Sequence, residues 1–210
     1  MTGPDYSFED AAIVSGARYV AGVDEVGRGP LAGPVTAAAV ILEVGCIPEG
    51  LNDSKKLTAK RRAVLAEVIM ASCDWSVAHA TVEEIDELNI LRASHLAMCR
   101  AIAGLRQRPC VALIDGNMLP DGLDLPGQAI IGGDARSLSI SAASIIAKMW
   151  RDRIMVDLAQ QHPGYGWEAN AGYPTPAHRR ALLDLGVTPH HRRSFAPVHN
   201  ILCKGQSASS

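Results

Sequence analysis

Acidic side chains stand at the ends of several short apolar runs in this chain. Asp24 and Glu25 close the run Tyr19 to Val23 and are followed at once by Gly27, Arg28, Gly29 and Pro30. Asp115 closes Val111-Ala112-Leu113-Ile114, Asp134 follows Gly132-Gly133, and Asp152 sits within a long stretch of helical periodicity. Adjacent acids at the end of an apolar strand are costly to bury unless something cationic meets them. In a regular strand Asp24 and Glu25 point to opposite faces, and the glycines just beyond offer a bend that would bring both to one site. Singly, each acid has an ordinary use: a strand-ending Asp serves a turn or a helix cap, and Asp152 can pair with Lys148 one helical turn back. Together they form the oxygen-only set that Mg²⁺ or Mn²⁺ prefers. Two such ions about 4 Å apart activate a water and stabilise the leaving oxygen of a phosphodiester. Asp121 and Asp124 share the loop region of Asp134, and only the Gly-Gly-Asp context favours Asp134 as the last ligand.

The elements that must position these acids read as an α/β domain. Strands are predicted over 18–24, 35–42, 75–82, 110–115 and 129–131, from apolar runs bounded by Gly, Pro and polar clusters. Thr58 caps a helix running to about Ser72, with Val64, Leu65, Val68 and Ile69 on its inner face. A helical stretch covers 83–105 with a break near Asn89. A long helix covers 140–161, with Ile146, Trp150, Ile154 and Leu158 spaced by four toward the core. Ser144 and Lys148 share the Asp152 face of that helix, a polar edge suited to a site. A helix near 177–185 follows a segment, 162–176, rich in Gly, Pro and aromatics, where Tyr165 and Trp167 are expected to pin the loop to the core. Residues 1–17 read as a lead-in, 18–200 as the domain, and 201–210 as a frayed tail. The order implies a mixed sheet with helices on both sides.

Charge and composition narrow the function. The net charge of -2 weighs mildly against a nucleic-acid partner. Clusters at Lys55-Lys56, Lys60-Arg61-Arg62, Arg151 with Arg153, Arg179-Arg180 and Arg192-Arg193 offer a local positive strip, or else solvated helix faces. The five cysteines lack C-x-x-C spacing and are odd in number, so neither a zinc site nor a disulfide framework is indicated, which suits the reducing cytoplasm. No signal peptide or membrane span is read. The glycines at 27–33 do not form a Walker loop, which argues against an ATPase. His190 and His191 read as a solvated turn.

The segments Gly22-Val23-Asp24-Glu25-Val26-Gly27-Arg28-Gly29, Asp53-Ser54-Lys55-Lys56-Leu57, Ser141 to Lys148 through Arg151-Asp152-Arg153, His162 to Trp167, and Gly172-Tyr173-Pro174-Thr175 resemble the ribonuclease HII family, in order and across most of the chain. The resemblance implies a ribonuclease H-like mixed sheet flanked by helices, with a C-terminal helical extension. It implies a two-metal site, for Mg²⁺ or Mn²⁺, formed by Asp24, Glu25, Asp115 and Asp134 with Asp152 in support. Gly27, Arg28 and Gly29 would read the ribose 2′-OH, and Tyr173 would stack on the sugar after the scissile ribonucleotide. Ser54, Lys55 and Lys56 would meet phosphates, with Ser144 and Lys148 lining the substrate side. The implied enzyme is a monomeric endonuclease that cuts the RNA strand of RNA–DNA hybrids. It would also nick 5′ of single ribonucleotides in DNA, leaving 3′-hydroxyl and 5′-phosphate ends and initiating their removal. Two departures stand out: many relatives carry Lys at the positions of Gly132 and Ala171, and losing both charges favours weaker or more salt-sensitive binding. The competing readings are a related two-metal nuclease or phosphatase, and a hybrid-binding protein with structural acids.

Overall fold

A computed structural model describes residues 3–207. The elements in chain order are α1 (Ser7–Val14), β1 (Val20–Val26), β2 (Val35–Ile41), α2 (Ala59–Ser72), β3 (Asp74–Ala80), α3 (Val82–Leu88), α4 (Ile90–Ala103), β4 (Val111–Asp115), β5 (Gly127–Ile130), α5 (Leu138–Gln161), α6 (Trp167–Asn170), α7 (Pro176–Leu185) and α8 (Ala196–Ser207). One sheet has the order β3-β2-β1-β4-β5. Its first half is an antiparallel meander, and β1, β4 and β5 run parallel. This is the expected mixed sheet flanked by helices.

Alternation along the strands sorts the two faces. Ala21, Val23, Ala37, Ala39, Ala112 and Ile114 pack against Ile85, Ala93, Ala97 and Met98 of α3 and α4. Ala38 and Val40 pack against Ala142, Ala143, Ile145 and Ile146 of α5 and against Leu65 and Ile69 of α2. β1 and β2 are therefore covered on both sides, which is why they read as continuous apolar runs rather than alternating ones. The expected α2 stripe is half right: Leu65 and Ile69 are buried with Ala66, whereas Val64 and Val68 are exposed. The break near Asn89 is real. Asn89 adopts φ 69° and caps α4 through its side chain, which accepts from the N–H groups of Leu91 and Arg92.

Helix α5 lies hard against the centre of the sheet. A Cβ at Gly22 would collide with the backbone of Ser139 and Ile140, so glycine is what permits this approach. The start of α5 is fixed from an unexpected quarter. Glu9, buried on α1, accepts from the Ser137 hydroxyl at 2.6 Å, the Ser139 N–H at 2.9 Å and the Ser139 hydroxyl at 2.5 Å. A carboxylate at a helix N-terminus satisfies orphan donors and complements the helix dipole. The lead-in is thus a helix that clamps the core, not an appendage.

The C-terminal part packs around Trp167, Leu182 and Val198, on Leu31, Ala32 and the second half of α5. The 162–176 segment is anchored as expected, with Tyr165 and Trp167 buried. The expected tail is helical through Ser207, and 208–210 lie outside the described residues.

Gly22→Ala is expected to cost about 1–3 kcal/mol, the scale of overpacking a filled core. Urea denaturation measures it, and an unchanged midpoint would show that α5 can retreat freely from β1.

Candidate active site

Parallel pairing places the acids. Val23 is in register with Ile114, so the next residues, Asp24 and Asp115, end neighbouring parallel strands about 4.8 Å apart. β5 pairs with β4 at Asp115–Ile130, and the 3₁₀ turn Gly133–Ala135 that follows carries Asp134 to the same edge. The Gly133 N–H donates to Asp115 Oδ1 at 2.6 Å, tying the turn to the strand end.

The chain does not bend to bring Asp24 and Glu25 onto one face, as the glycines suggested it could. β1 stays paired with β2 through Val26, opposite Thr36. Asp24 therefore faces α5, where Ser144 hydrogen-bonds its carboxylate, and Glu25 faces α4, lining with Arg28, Asp115, Ser94 and His95 a groove of about 320 Å³. The site straddles the open end of the sheet. A larger hollow of about 500 Å³ between α1 and β5 contains no titratable side chain besides Cys110.

The acids are close enough to perturb one another. Burial, then the charges of Glu25, Asp115 and Asp134, push Asp24 well above the usual carboxylate range against the pull of Ser144. Burial also raises Glu25, opposed by the Arg28 guanidinium at 3.4 Å and assisted by Asp115. Burial and Asp115 raise Asp134. Lys55 stands 4.0 Å from Asp134; burial acts to lower its ammonium, but the carboxylates, Asp134 foremost, hold it above its ordinary value.

The other expected site residues divide. Ser144 lies 2.8 Å from the Ser54 hydroxyl, so both serines are buried in a chain from Asp24 to the Lys55 loop. Ser54 accepts from Ser144 and is buried at the base of the loop that carries Lys55. Arg62 reinforces the loop by donating to the carbonyls of Ser54 and Leu57. Lys55 is exposed beside the acids, and Lys56 is exposed on the same loop. Asp152 pairs with Lys148 at 2.7 Å and lies eight residues, about 12 Å of helix, beyond Ser144. It is thereby set apart from the four clustered acids. Of the loop alternatives, Asp121 lies against His95, its N–H donating to the ring and its carboxylate 3.7 Å from it, and Asp124 pairs with Arg108 at 3.2 Å.

Gly27, Arg28 and Gly29 form the turn beside Glu25. A Cβ on Gly27, at φ +96°, would run into Arg151, and one on Gly29 would sit 3.4 Å from the Tyr173 ring. The Tyr173 ring therefore lies beside the turn. Behind them are residues whose part the sequence concealed. Arg151 and Arg192 are wholly buried, not solvated or part of a surface strip. Arg151 donates to the carbonyls of Ala32, Pro34 and Ala171. Burial lowers Arg151 to about 10, and burial with the charge of Arg151 lowers Arg192 to about 9.

His191 is also wholly buried, which corrects the expected solvated turn. Its Nδ1 accepts from the Thr188 N–H, so its Nε2 carries the proton and donates to His178 Nε2 at 3.2 Å. His178 Nε2 also accepts from Trp167, leaving Nδ1–H to donate to the Tyr173 carbonyl at 2.9 Å. Burial and the neighbouring histidines push His191 down to about 3, which keeps this chain neutral. No sequence signal beyond the polar residue types marked these partners.

No three His, Cys, Asp or Glu side chains among the described residues close on a single point as they stand. The donor set nevertheless fits a hard divalent cation in kind: oxygen ligands only, under mutual repulsion, with Arg28 and Lys55 at the rim as their near cations.

Fold and site together define a ribonuclease H-like hydrolase. The ribonuclease HII family model matches residues 21–198, and the chain belongs to that family. It is 82% identical over 209 residues to ribonuclease HII of Paracoccus denitrificans, covering all of both chains. Among solved structures it resembles the ribonuclease H2 of Pyrococcus horikoshii, with TM-score 0.78 and 28% identity over 90% of this chain and 99% of that one. The fold also matches Bst-RNase HIII, solved in complex with Mn²⁺, with TM-score 0.73 and 19% identity over 90% of this chain and 70% of that one. The protein is a ribonuclease H that cuts RNA strands internally.

Because folding raises Asp24 and Asp134, the stability that each contributes at acid pH is lost as pH rises through the raised value. In chelator at pH 7, Asp24→Asn is expected to be more stable than the parent by about 1 kcal/mol, or ~3 °C. The gap should close toward pH 4. Calorimetry across that range decides it, and a destabilised variant at pH 7 would mean that Asp24 is not under repulsion.

Proposed function

We propose that Asp24, Glu25, Asp115 and Asp134 hold divalent cations, Mg²⁺ or Mn²⁺, and that the enzyme nicks 5′ of ribonucleotides within duplex DNA as well as cutting RNA in hybrids. The observation that carries this reading is one juxtaposition: a mutually repelling set of buried and half-buried carboxylates adjoins a glycine turn with the Tyr173 ring beside it. Bound cations would polarise the scissile phosphate and supply an activated water, up to two ions sharing the task. The chain's own residues do the rest. The four carboxylates orient what they bind, and Gly133 and Ser144 hold Asp115 and Asp24 in place. Lys55 and Lys56 meet phosphates from an exposed loop. Lys148 pairs with Asp152 at 2.7 Å and keeps two further N–H donors for the substrate side.

Reading of RNA falls to the Gly27–Gly29 turn, where glycine lets the backbone approach a ribose whose 2′-OH distinguishes it from DNA. The Tyr173 ring beside Gly29 favours a deoxyribose at the next position, since a second 2′-OH would crowd it. Products carry 3′-hydroxyl and 5′-phosphate ends, as water attacks phosphorus in line and the 3′ oxygen leaves. Such nicks begin the removal of stray ribonucleotides. The enzyme is read as monomeric and cytoplasmic, with nucleic acid and no membrane as its partner; no described helix is long and apolar enough to cross one.

An end-labelled DNA duplex with one ribonucleotide tests this. Cleavage is expected 5′ of that residue with Mg²⁺ or Mn²⁺, and none with chelator or all-DNA duplex. Asp115→Asn should lose about 10²–10³-fold or more in kcat while still binding. Tyr173→Ala should cut the preference for deoxyribose at the next position by about tenfold, the scale of one aromatic stacking contact. Parental cleavage by Asp115→Asn would discard the metal site.

A further inference from the structure

We propose that Arg192 is a positioning residue for ribose recognition, aiming the N–H groups of Arg28 and Gly29 at the substrate by holding the carbonyls on the far side of the same peptide planes. The guanidinium donates to Gly27 O at 2.6 Å, to Arg28 O at 3.0 Å and to Gly33 O at 3.0 Å. A trans peptide unit is planar, with its C=O and N–H on opposite sides, and none of the described peptide bonds is cis. The Gly27 carbonyl and the Arg28 N–H share one plane, as do the Arg28 carbonyl and the Gly29 N–H. Pulling both carbonyls inward therefore turns both N–H groups outward. Neither has an acceptor among the described residues. Consecutive free N–H groups of this kind form a small concave donor pair suited to an oxygen acceptor.

The hold is tight. Arg192 is fully buried and pairs with no carboxylate among the described residues, so its fork is committed to backbone carbonyls. The Phe195 ring lies 5.1 Å from it, and Arg151 blocks the turn from collapsing at Gly27. The Arg192 N–H also donates to Leu31 O, and the Gly33 N–H to His190 O, so the C-terminal segment and the turn move as one. A lysine keeps the charge but lacks the planar fork that reaches three carbonyls at once. This inference rests on the reading that the turn recognises ribose.

The test compares Arg192→Lys with Leu182→Ala, a core truncation in the same C-terminal cluster that touches none of the three carbonyls. Each is assayed at a fixed interval below its own Tm, on single-ribonucleotide duplex and on the same duplex with a 2′-fluoro sugar. Arg192→Lys is expected to lose about 10- to 100-fold in kcat, the cost of misplacing a reacting group by about 1 Å, with KM within about threefold. Its discrimination between the two sugars should narrow, while Leu182→Ala keeps both. In parallel, ¹⁵N–¹H spectra should show the Arg28 and Gly29 amides displaced in Arg192→Lys and unmoved in Leu182→Ala. If Arg192→Lys does not fold, Phe195→Leu serves, and unmoved amides there with parental discrimination overturn the proposal. Indistinguishable kcat, discrimination and amides in the two original variants overturn it likewise. A parent that cuts without regard to the 2′-OH defeats the ribose reading instead, while the amide displacement still decides what Arg192 does to the turn.

Discussion

Two carboxylates just past the parallel pairing of adjacent strands, Asp24 buried and Asp115 half-buried, are the constraint around which this molecule is arranged. Asp24 and Asp115 cannot move apart without unpairing β1 from β4, and these strands form the middle of the sheet. Asp134 is added by a turn that is itself bonded to Asp115. Such a cluster opposes folding on its own account, since burial and repulsion both disfavour its charge. The surrounding fold supplies the rigidity that keeps it: α5 driven against Gly22, its first turn fastened by Glu9, and Ser144 bonded to Asp24. On the proposed reading, a bound cation would relieve the repulsion that the protein alone leaves in place.

How far the sequence revealed this depended on whether the relevant physics was local. Asp24 and Asp115 were legible because an apolar run ending in an acid can be seen within a few residues. The helix break at Asn89 and the caps at Thr58 and Thr81 were local as well, and Thr58 was read correctly. The fourth acid was legible only as a choice among three; of these, Asp134 is the one whose charge acts on Asp24, while Asp124 pairs with Arg108. Glu9 was hidden because its hydrogen-bond donors, Ser137 and Ser139, lie about 130 residues away, and nothing near it reports burial. Arg192 failed for the same reason, more severely: an arginine pair beside two histidines has the composition of a surface, and only distant carbonyls at Gly27, Arg28 and Gly33 make it core. Val64 and Val68 show the opposite error, in which a helical repeat was counted on a face that meets water.

The buried arginines bear on how a chain of net charge -2 can hold a polyanion. A cation paired with a carboxylate contributes little field at a distance. Arg151 and Arg192 are solvated by carbonyl dipoles instead, and neither is in a direct ion pair with a carboxylate among the described residues, although Asp152 and Asp86 act on them from farther off. They stand behind the turn and the Tyr173 loop, in a low-dielectric interior where salt screens poorly. The acids occupy the sheet end just beyond. On the proposed reading, a phosphate backbone would have these two cations behind the turn and the four carboxylates at the sheet end. Gly132 and Ala171 contribute no charge to the Asp134 turn and the Tyr173 loop, which leaves the buried arginines as cations behind that side.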